Sequence, residues 1–146
     1  MPMADWGATA RLDHVGLTVA DLPAAAAWFC GVFGLVQELS LRVDAIDLSI
    51  EMLIHPTAGY RVELLHRPGS GPGRKPGNPA EAALREGYGH MAFDVTDVDS
   101  AYDRALARGA RPVMPPCAAP DPGVRMAFVA DPEGNLVELR DRGRKK

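Results

Sequence analysis

Asp-His-Val-Gly-Leu-Thr-Val-Ala-Asp-Leu, residues 13–22, is followed later in the chain by Gly-His-Met-Ala-Phe-Asp-Val-Thr-Asp-Val, residues 89–98. In the second stretch, His90 lies at an offset of 76 positions from His14. The alternation of apolar with smaller or polar residues is repeated there. Val-Glu-Leu at 62–64 is repeated in the same way at 137–139, at an offset of 75 positions. Alternation with period two predicts strands, so the sequence predicts two copies of one module.

Each copy is predicted to contain one strand, one helix and three further strands, which gives an α+β fold of two tandem βαβββ modules. The helix of the first copy has Asp21 as a candidate N-cap and Gly34 as a candidate residue just past its end. Asp97 and Gly109 are their counterparts in the second copy. The predicted strands lie near residues 11–19, 35–43, 46–54, 60–65, 88–95, 111–114, 125–130 and 135–139.

The length of 146 residues corresponds to one domain, which can bury a core without disulfides or structural zinc. Proline and glycine alternate after the first module, a composition typical of an exposed connector. A short helix is predicted at its end, over 78–86. We predict a single domain made of module one (10–67), a linker (68–86), module two (87–140) and a basic tail (141–146).

Charge and composition exclude several classes of protein. A net charge of −3 argues against a general nucleic-acid binder. The apolar runs are far shorter than the roughly 20 residues that span a bilayer, and no signal peptide is recognised. Cys30 and Cys117 have neither a metal-like nor a disulfide-like spacing, so a cytoplasmic location is expected. We expect Cys30 to pack on a helix and Cys117 to lie in a proline-rich turn.

The repeated positions carry one histidine and one glutamate in each copy. His14 and Glu63 are 49 positions apart, and His90 and Glu138 are 48 apart. Each glutamate stands between two apolar residues, so it points away from the core if those two face it. Solvent-exposed polar residues have no reason to coincide in two copies. We therefore interpret the four residues as the ligands of one divalent metal ion between the modules.

Two neutral imidazoles and two carboxylates would balance the charge of one divalent ion. Nickel, cobalt, zinc, manganese and iron all suit such a mixed nitrogen and oxygen set, whereas a closed cysteine-type zinc site is not expected. His66 lies on the opposite strand face from Glu63, and His55 precedes a proline at a strand end, so neither is expected to be a ligand. The strand parity of Glu51 leaves its role open.

Further candidates lie around this predicted site. Three basic residues of the connector, Arg67, Arg74 and Lys75, either contact an anionic substrate tail or belong to a solvated loop, and the second interpretation is favoured. Arg61 shares a strand face with Glu63 and is a candidate partner of that carboxylate or of an anionic substrate. Pocket-lining candidates are Tyr60, Arg61, Arg125 and Met126.

Over about residues 10–140 the sequence resembles the vicinal oxygen chelate superfamily. The most specific stretches are Leu-Asp-His-Val at 12–15, Val-Ala-Asp-Leu at 19–22, Val-Glu-Leu-Leu at 62–65 and Asp-Pro-Glu-Gly-Asn-Leu-Val-Glu-Leu at 131–139. The superfamily includes glyoxalase I, methylmalonyl-CoA epimerase, extradiol dioxygenases, fosfomycin-resistance enzymes and bleomycin-resistance proteins. The resemblance implies a cupped, eight-stranded mixed sheet with the metal in the cup, and a homodimer as the usual assembly.

A four-ligand set is similar to glyoxalase I and to the epimerase, which implies a metal-dependent lyase or isomerase. The resemblance implies a small-molecule substrate, such as a thioester or hemithioacetal. The net charge and the short apolar runs predict no nucleic-acid or membrane partner. Glu138 would then move a proton on the carbon next to a metal-bound carbonyl, through an enediolate or enolate, with Glu63 as its counterpart. The alternatives are an iron-dependent extradiol-type dioxygenase and a metal-free small-molecule-binding protein.

Overall fold

The structure is a computed structural model that describes residues 10–143, so the last three residues of the predicted basic tail lie outside it. Eight strands and three helices follow one another in the predicted order, with a short 3-10 turn at Asp44–Ile46 between the second and third strands. Their bounds are β1 (His14–Thr18), α1 (Leu22–Phe33), β2 (Val36–Val43), β3 (Leu48–Ile54), β4 (Arg61–His66), α2 (Pro79–Ala82), β5 (Met91–Asp94), α3 (Val98–Ala107), β6 (Arg111–Ala118), β7 (Arg125–Ala130) and β8 (Leu136–Asp141).

The strands form two four-stranded mixed sheets with equivalent orders, β1-β4-β3-β2 and β5-β8-β7-β6. In each sheet the first strand pairs in parallel with the last, and the other pairs are antiparallel. The predicted α+β fold of two βαβββ modules is confirmed. Its eight strands are divided between the two sheets, one sheet for each module.

The parallel pairs place the repeated histidines and glutamates in equivalent registers. Gly16 is opposite Glu63 between β1 and β4, and Ala92 is opposite Glu138 between β5 and β8. His14 precedes Gly16 by two positions, and His90 precedes Ala92 by two positions. Side chains two positions apart share a strand face, so each histidine lies diagonally across from the glutamate of its own module.

The two longer helices begin and end as their capping residues predict. The Asp21 carboxylate accepts a hydrogen bond from the Ala24 backbone N–H, and Asp97 accepts one from Ser100. Gly34 ends α1 in the left-handed conformation at φ 70°, where glycine has no steric penalty. Within residues 10–143 no helix is long and apolar enough to cross a membrane.

The core is continuous across the two modules. Phe33 of α1 stacks on Phe93 of β5 with ring centroids 3.7 Å apart. The Arg104 Nε of α3 donates to the Val32 carbonyl 2.8 Å away. Glu133 of module two accepts hydrogen bonds from the backbone N–H groups of Ala20 and Asp21 at 2.7 and 3.0 Å, just before α1. The modules are therefore joined by apolar packing and by a cap that one supplies to the other.

Glu133→Ala should lower the free energy of unfolding by about 1 kcal/mol, since two N–H groups at the start of α1 lose their carboxylate acceptor. Glu133→Gln keeps one amide oxygen as an acceptor and should lose less. Urea denaturation of both variants measures the difference. Equal stability of Glu133→Ala and the parent chain would show that water replaces the carboxylate at no cost.

Several boundaries differ from the sequence prediction, and three differences concern module two and the segment before it. The strand predicted at 111–114 continues as β6 to Ala118 and includes Cys117, which was predicted in a turn. β6 is an edge strand with two register shifts, and an edge tolerates the prolines that misled the prediction. The helix predicted over 78–86 is only the four-residue α2. β5 begins at Met91 rather than near 88.

Candidate metal-binding and catalytic site

The pair in module one consists of His14 on β1 and Glu63 on β4. The His14 Nε2 lies 3.7 Å from a carboxylate oxygen of Glu63. Its Nδ1 lies 2.7 Å from a carboxylate oxygen of Asp13, and this hydrogen bond holds the pKa of Asp13 below its usual value. A carboxylate only accepts hydrogen bonds, so Nδ1 is the donor in this contact and Nε2 is the nitrogen that faces Glu63. Metal-binding histidines have this arrangement, in which an outer carboxylate fixes the ring.

The pair in module two consists of His90 on β5 and Glu138 on β8. The His90 Nε2 lies 3.1 Å from the Glu138 Oε2, and Glu138 is only 4% exposed. The Arg140 guanidinium donates to the other oxygen, Oε1, at 2.8 Å and also binds the carboxylate of Asp121. Each oxygen of Glu138 thus has its own partner, and Oε2 is the one that faces the histidine.

Both histidines line one cavity of about 430 Å³. Its walls are largely apolar and include Leu17, Phe29 and Val137. The side chains of His14 and His90 are 35% and 37% exposed, whereas those of Glu63 and Glu138 are 19% and 5% exposed. Neither glutamate is among the residues lining the cavity, so of the two pairs only the imidazoles border it.

The structure brings the four predicted ligands together as two pairs. Among residues 10–143, no group of three or more histidine, cysteine, aspartate or glutamate side chains lies close enough to hold one ion. The donor set itself fits a divalent cation, since each pair offers an imidazole nitrogen and a carboxylate and both histidines reach the same cavity. Coordination of one ion by all four residues would require the two pairs to converge.

The two pairs differ in their charged neighbours. Glu138 is ion-paired with Arg140, which strand alternation places two positions farther along the same face of β8. The sequence analysis overlooked Arg140, although its position relative to Glu138 was a sufficient signal. In module one, Arg61 pairs with Glu38 at 3.0 Å rather than with Glu63. Glu63 is consequently the less constrained of the two carboxylates.

The remaining histidines and Glu51 have structural contacts. The His66 Nδ1 lies 2.8 Å from the Val19 carbonyl, and His55 accepts a hydrogen bond from the Ala58 N–H in the β3–β4 turn. Neither joins the two pairs, as the sequence predicted. Glu51 accepts a hydrogen bond from the hydroxyl of Ser40.

The predicted pocket-lining residues do not line the cavity. Arg125, for example, donates two hydrogen bonds to Asp99 at the start of α3. Strand parity alone cannot show which part of a sheet face a cavity covers, and this explains the error. The connector contributes instead, because Arg74 and Pro76 line the cavity. Arg67, Arg74 and Lys75 are all exposed, as expected of a solvated connector, and Arg74 in addition borders the cavity.

Comparison with known proteins agrees with this duplicated architecture. The sequence profile of the Glyoxalase/Bleomycin resistance protein/Dioxygenase superfamily matches residues 11–139. The chain belongs to this superfamily. The resemblance deduced from the His and Glu repeats is thereby confirmed for the family as a whole.

Two curated relatives match almost the full length of this superfamily member. It is 33% identical over 135 residues to the ethylmalonyl-CoA/methylmalonyl-CoA epimerase of Cereibacter sphaeroides, covering 88% of this chain and 96% of the relative. It is 26% identical over 137 residues to a probable lactoylglutathione lyase of Synechocystis, covering 92% and 98%. Both relatives are named as enzymes with small-molecule substrates.

A solved structure shows the same fold. Glyoxalase I from Zea mays superimposes with a TM-score of 0.74 at 21% identity, covering 92% of this chain. The match spans only 46% of the maize protein, so the present chain corresponds to less than half of it. At this identity the likeness establishes the fold of this superfamily member and nothing about its substrate.

Proposed function

We propose that this protein is a metal-dependent isomerase of the epimerase type, which moves a proton on the carbon next to the carbonyl of a thioester. The observation that carries this proposal is the pair of equivalent His–Glu units, one from each module, whose histidines line a single cavity. The relative at 33% identity is named an acyl-CoA epimerase, which agrees with a thioester substrate.

Epimerisation needs a group that removes a proton from one face of a carbon and a group that returns one to the other face. Glu63 and Glu138 occupy equivalent positions in the two copies. A substrate between the modules would have one of these carboxylates on either side. Glu138 Oε2 would take the proton, and Glu63 would deliver one from the opposite side.

The chain's own residues prepare the site for this transfer. Asp13 fixes the ring of His14. Arg140 holds Glu138 Oε1, so Oε2, which faces His90, would be the oxygen that takes the proton. The apolar walls of the cavity limit the water around the reacting carbon and so strengthen charge interactions there. When bound by His14, Glu63, His90 and Glu138, a divalent ion would supply Lewis-acid stabilisation of charge on the carbonyl oxygen.

Metal content is the direct test of the ligand proposal. We expect about one divalent ion per chain, and its loss in His14→Ala and in His90→Ala, since each variant removes one nitrogen donor. His55→Ala, which removes a histidine of the β3–β4 turn, is the matched control and should keep the ion. Elemental analysis after reconstitution with nickel, cobalt, zinc, manganese and iron measures the outcome. Retention of the ion in both site variants would contradict the shared site.

The reaction is tested by proton exchange in deuterated water. With methylmalonyl-CoA or ethylmalonyl-CoA we expect deuterium at the carbon next to the carbonyl, together with inversion, followed by NMR. Exchange with S-lactoylglutathione instead would favour the lyase reaction of the second relative. Oxygen consumption with a catechol would favour a dioxygenase. No bound metal and no exchange with any of the three thioesters would favour a metal-free binding protein.

A further inference from the structure

The connector between β4 and α2 folds back onto the cavity and brings two cations with it. The Arg74 side chain lines the cavity, and its two terminal nitrogens donate to the carbonyls of Ala82 and Glu86 at 3.2 and 3.4 Å. The Lys75 Nζ donates to the Asn135 side-chain carbonyl at 3.2 Å, and Asn135 also lines the cavity. These contacts attach the connector to α2 and to the β7–β8 turn.

Neither cation is neutralised by a carboxylate. Within residues 10–143, Arg74 and Lys75 form no ion pair, whereas Arg61 and Arg140 each bind two carboxylates. The hydrogen bonds of Arg74 and Lys75 go to neutral oxygens, which hold the side chains but leave their positive charge uncompensated. Arg74 is also the only arginine or lysine among the residues lining the cavity.

The cavity beside these cations has an exposed apolar border. Leu12 and Tyr88 line it and are 81% and 105% exposed. Large apolar side chains that border a cavity and remain exposed mark a surface for ligand binding. A ligand that covers this border and ends in negative charge would match both features. The reacting carbon would lie at the His–Glu pairs, with an apolar stretch along Leu12 and Tyr88 and an anionic end at Arg74.

We propose that Arg74 and Lys75 bind the anionic end of the thiol carrier of the substrate, remote from the reacting carbon. This inference rests on the proposed function and deepens it, since it assigns the substrate to thioesters whose carrier is charged. Two carriers share this chemistry, namely a coenzyme A arm with phosphate groups and a glutathione arm with carboxylates. Arginine binds both kinds of group through paired N–H donors.

Kinetics with a truncated substrate test the assignment. The double variant Arg74→Gln/Lys75→Gln should raise KM for methylmalonyl-CoA by about tenfold or more with kcat little changed, because a hydrogen bond to a charged group contributes roughly one power of ten. KM for the same acyl group on pantetheine, which lacks the phosphates, should not change. Arg67→Gln/Arg85→Gln removes two cations that do not line the cavity and should leave both KM values unchanged.

Direct binding separates this inference from the proposed function. Calorimetry with coenzyme A, pantetheine and glutathione needs no turnover, and thermal melts verify that each variant is folded. Coenzyme A affinity that is lost only in Arg74→Gln/Lys75→Gln supports a phosphate-bearing carrier, and glutathione affinity lost in the same way supports a carboxylate-bearing one. Equal affinities of the parent chain and this variant for both ligands would overturn the inference, even if the protein is an epimerase.

Discussion

Glu138→Gln should lower kcat for epimerisation by about 10²- to 10⁴-fold while the protein keeps part of its metal. An amide oxygen still accepts from the Arg140 guanidinium and remains a weak ligand, but it cannot take a proton from carbon. The substitution is isosteric, so the packing around this buried side chain should be retained. Steady-state kinetics and elemental analysis of the same preparation measure both effects. An unchanged kcat would remove Glu138 from the reaction.

Because the carboxylates of Glu63 and Glu138 are in equivalent positions, substituting each in turn tests which face of the carbon each one serves. If each glutamate serves one face of the carbon, Glu138→Gln should still exchange deuterium into one epimer of the substrate. Glu63→Gln should exchange deuterium into the other epimer. Neither variant should convert one epimer into the other. Glu51→Gln, on a neighbouring strand and hydrogen-bonded to Ser40, is the matched control. Exchange into both epimers by either variant would show that one residue serves both faces.

The sequence was sufficient to predict the modules because the signals for them are local. Strand alternation around His14 and Glu63, the Asp21 N-cap and the terminal Gly34 each act within a few residues. The same local signals recur in the second module, so the two copies support the same assignment of strands and helices. The His–Glu pairs follow for the same reason, since equal positions in equal modules must have equal registers.

Features set by contacts between distant segments could not be predicted in this way. Lys75 reaches Asn135 across 60 positions, and no periodicity in the connector indicates that contact. The number of ligands that converge depends on how the two sheets face each other, which strand patterns do not encode. The prolines of β6 were misleading because their tolerance depends on the edge position of that strand, a property of the whole sheet.

Arg140→Met should lower the free energy of unfolding by about 3 kcal/mol, because it leaves the buried Glu138 carboxylate without its cation. We expect the lower end of the range for a broken buried pair for two reasons. The Arg140 side chain is itself 18% exposed, and its buried Nε has no hydrogen-bond partner among the described residues, so part of the cost is recovered when it is removed. Urea denaturation at neutral pH measures the change.

Two further variants separate charge from packing in this prediction. The double variant Glu138→Gln/Arg140→Met has no uncompensated carboxylate at this position and should be more stable than Arg140→Met alone. Arg125→Met breaks the exposed ion pair with Asp99 and should change stability little. If Arg140→Met and the double variant unfold at the same urea concentration, the loss comes from packing. Arg140 would then contribute to stability through the packing of its side chain on β8, and the orientation of Glu138 would depend on His90 alone.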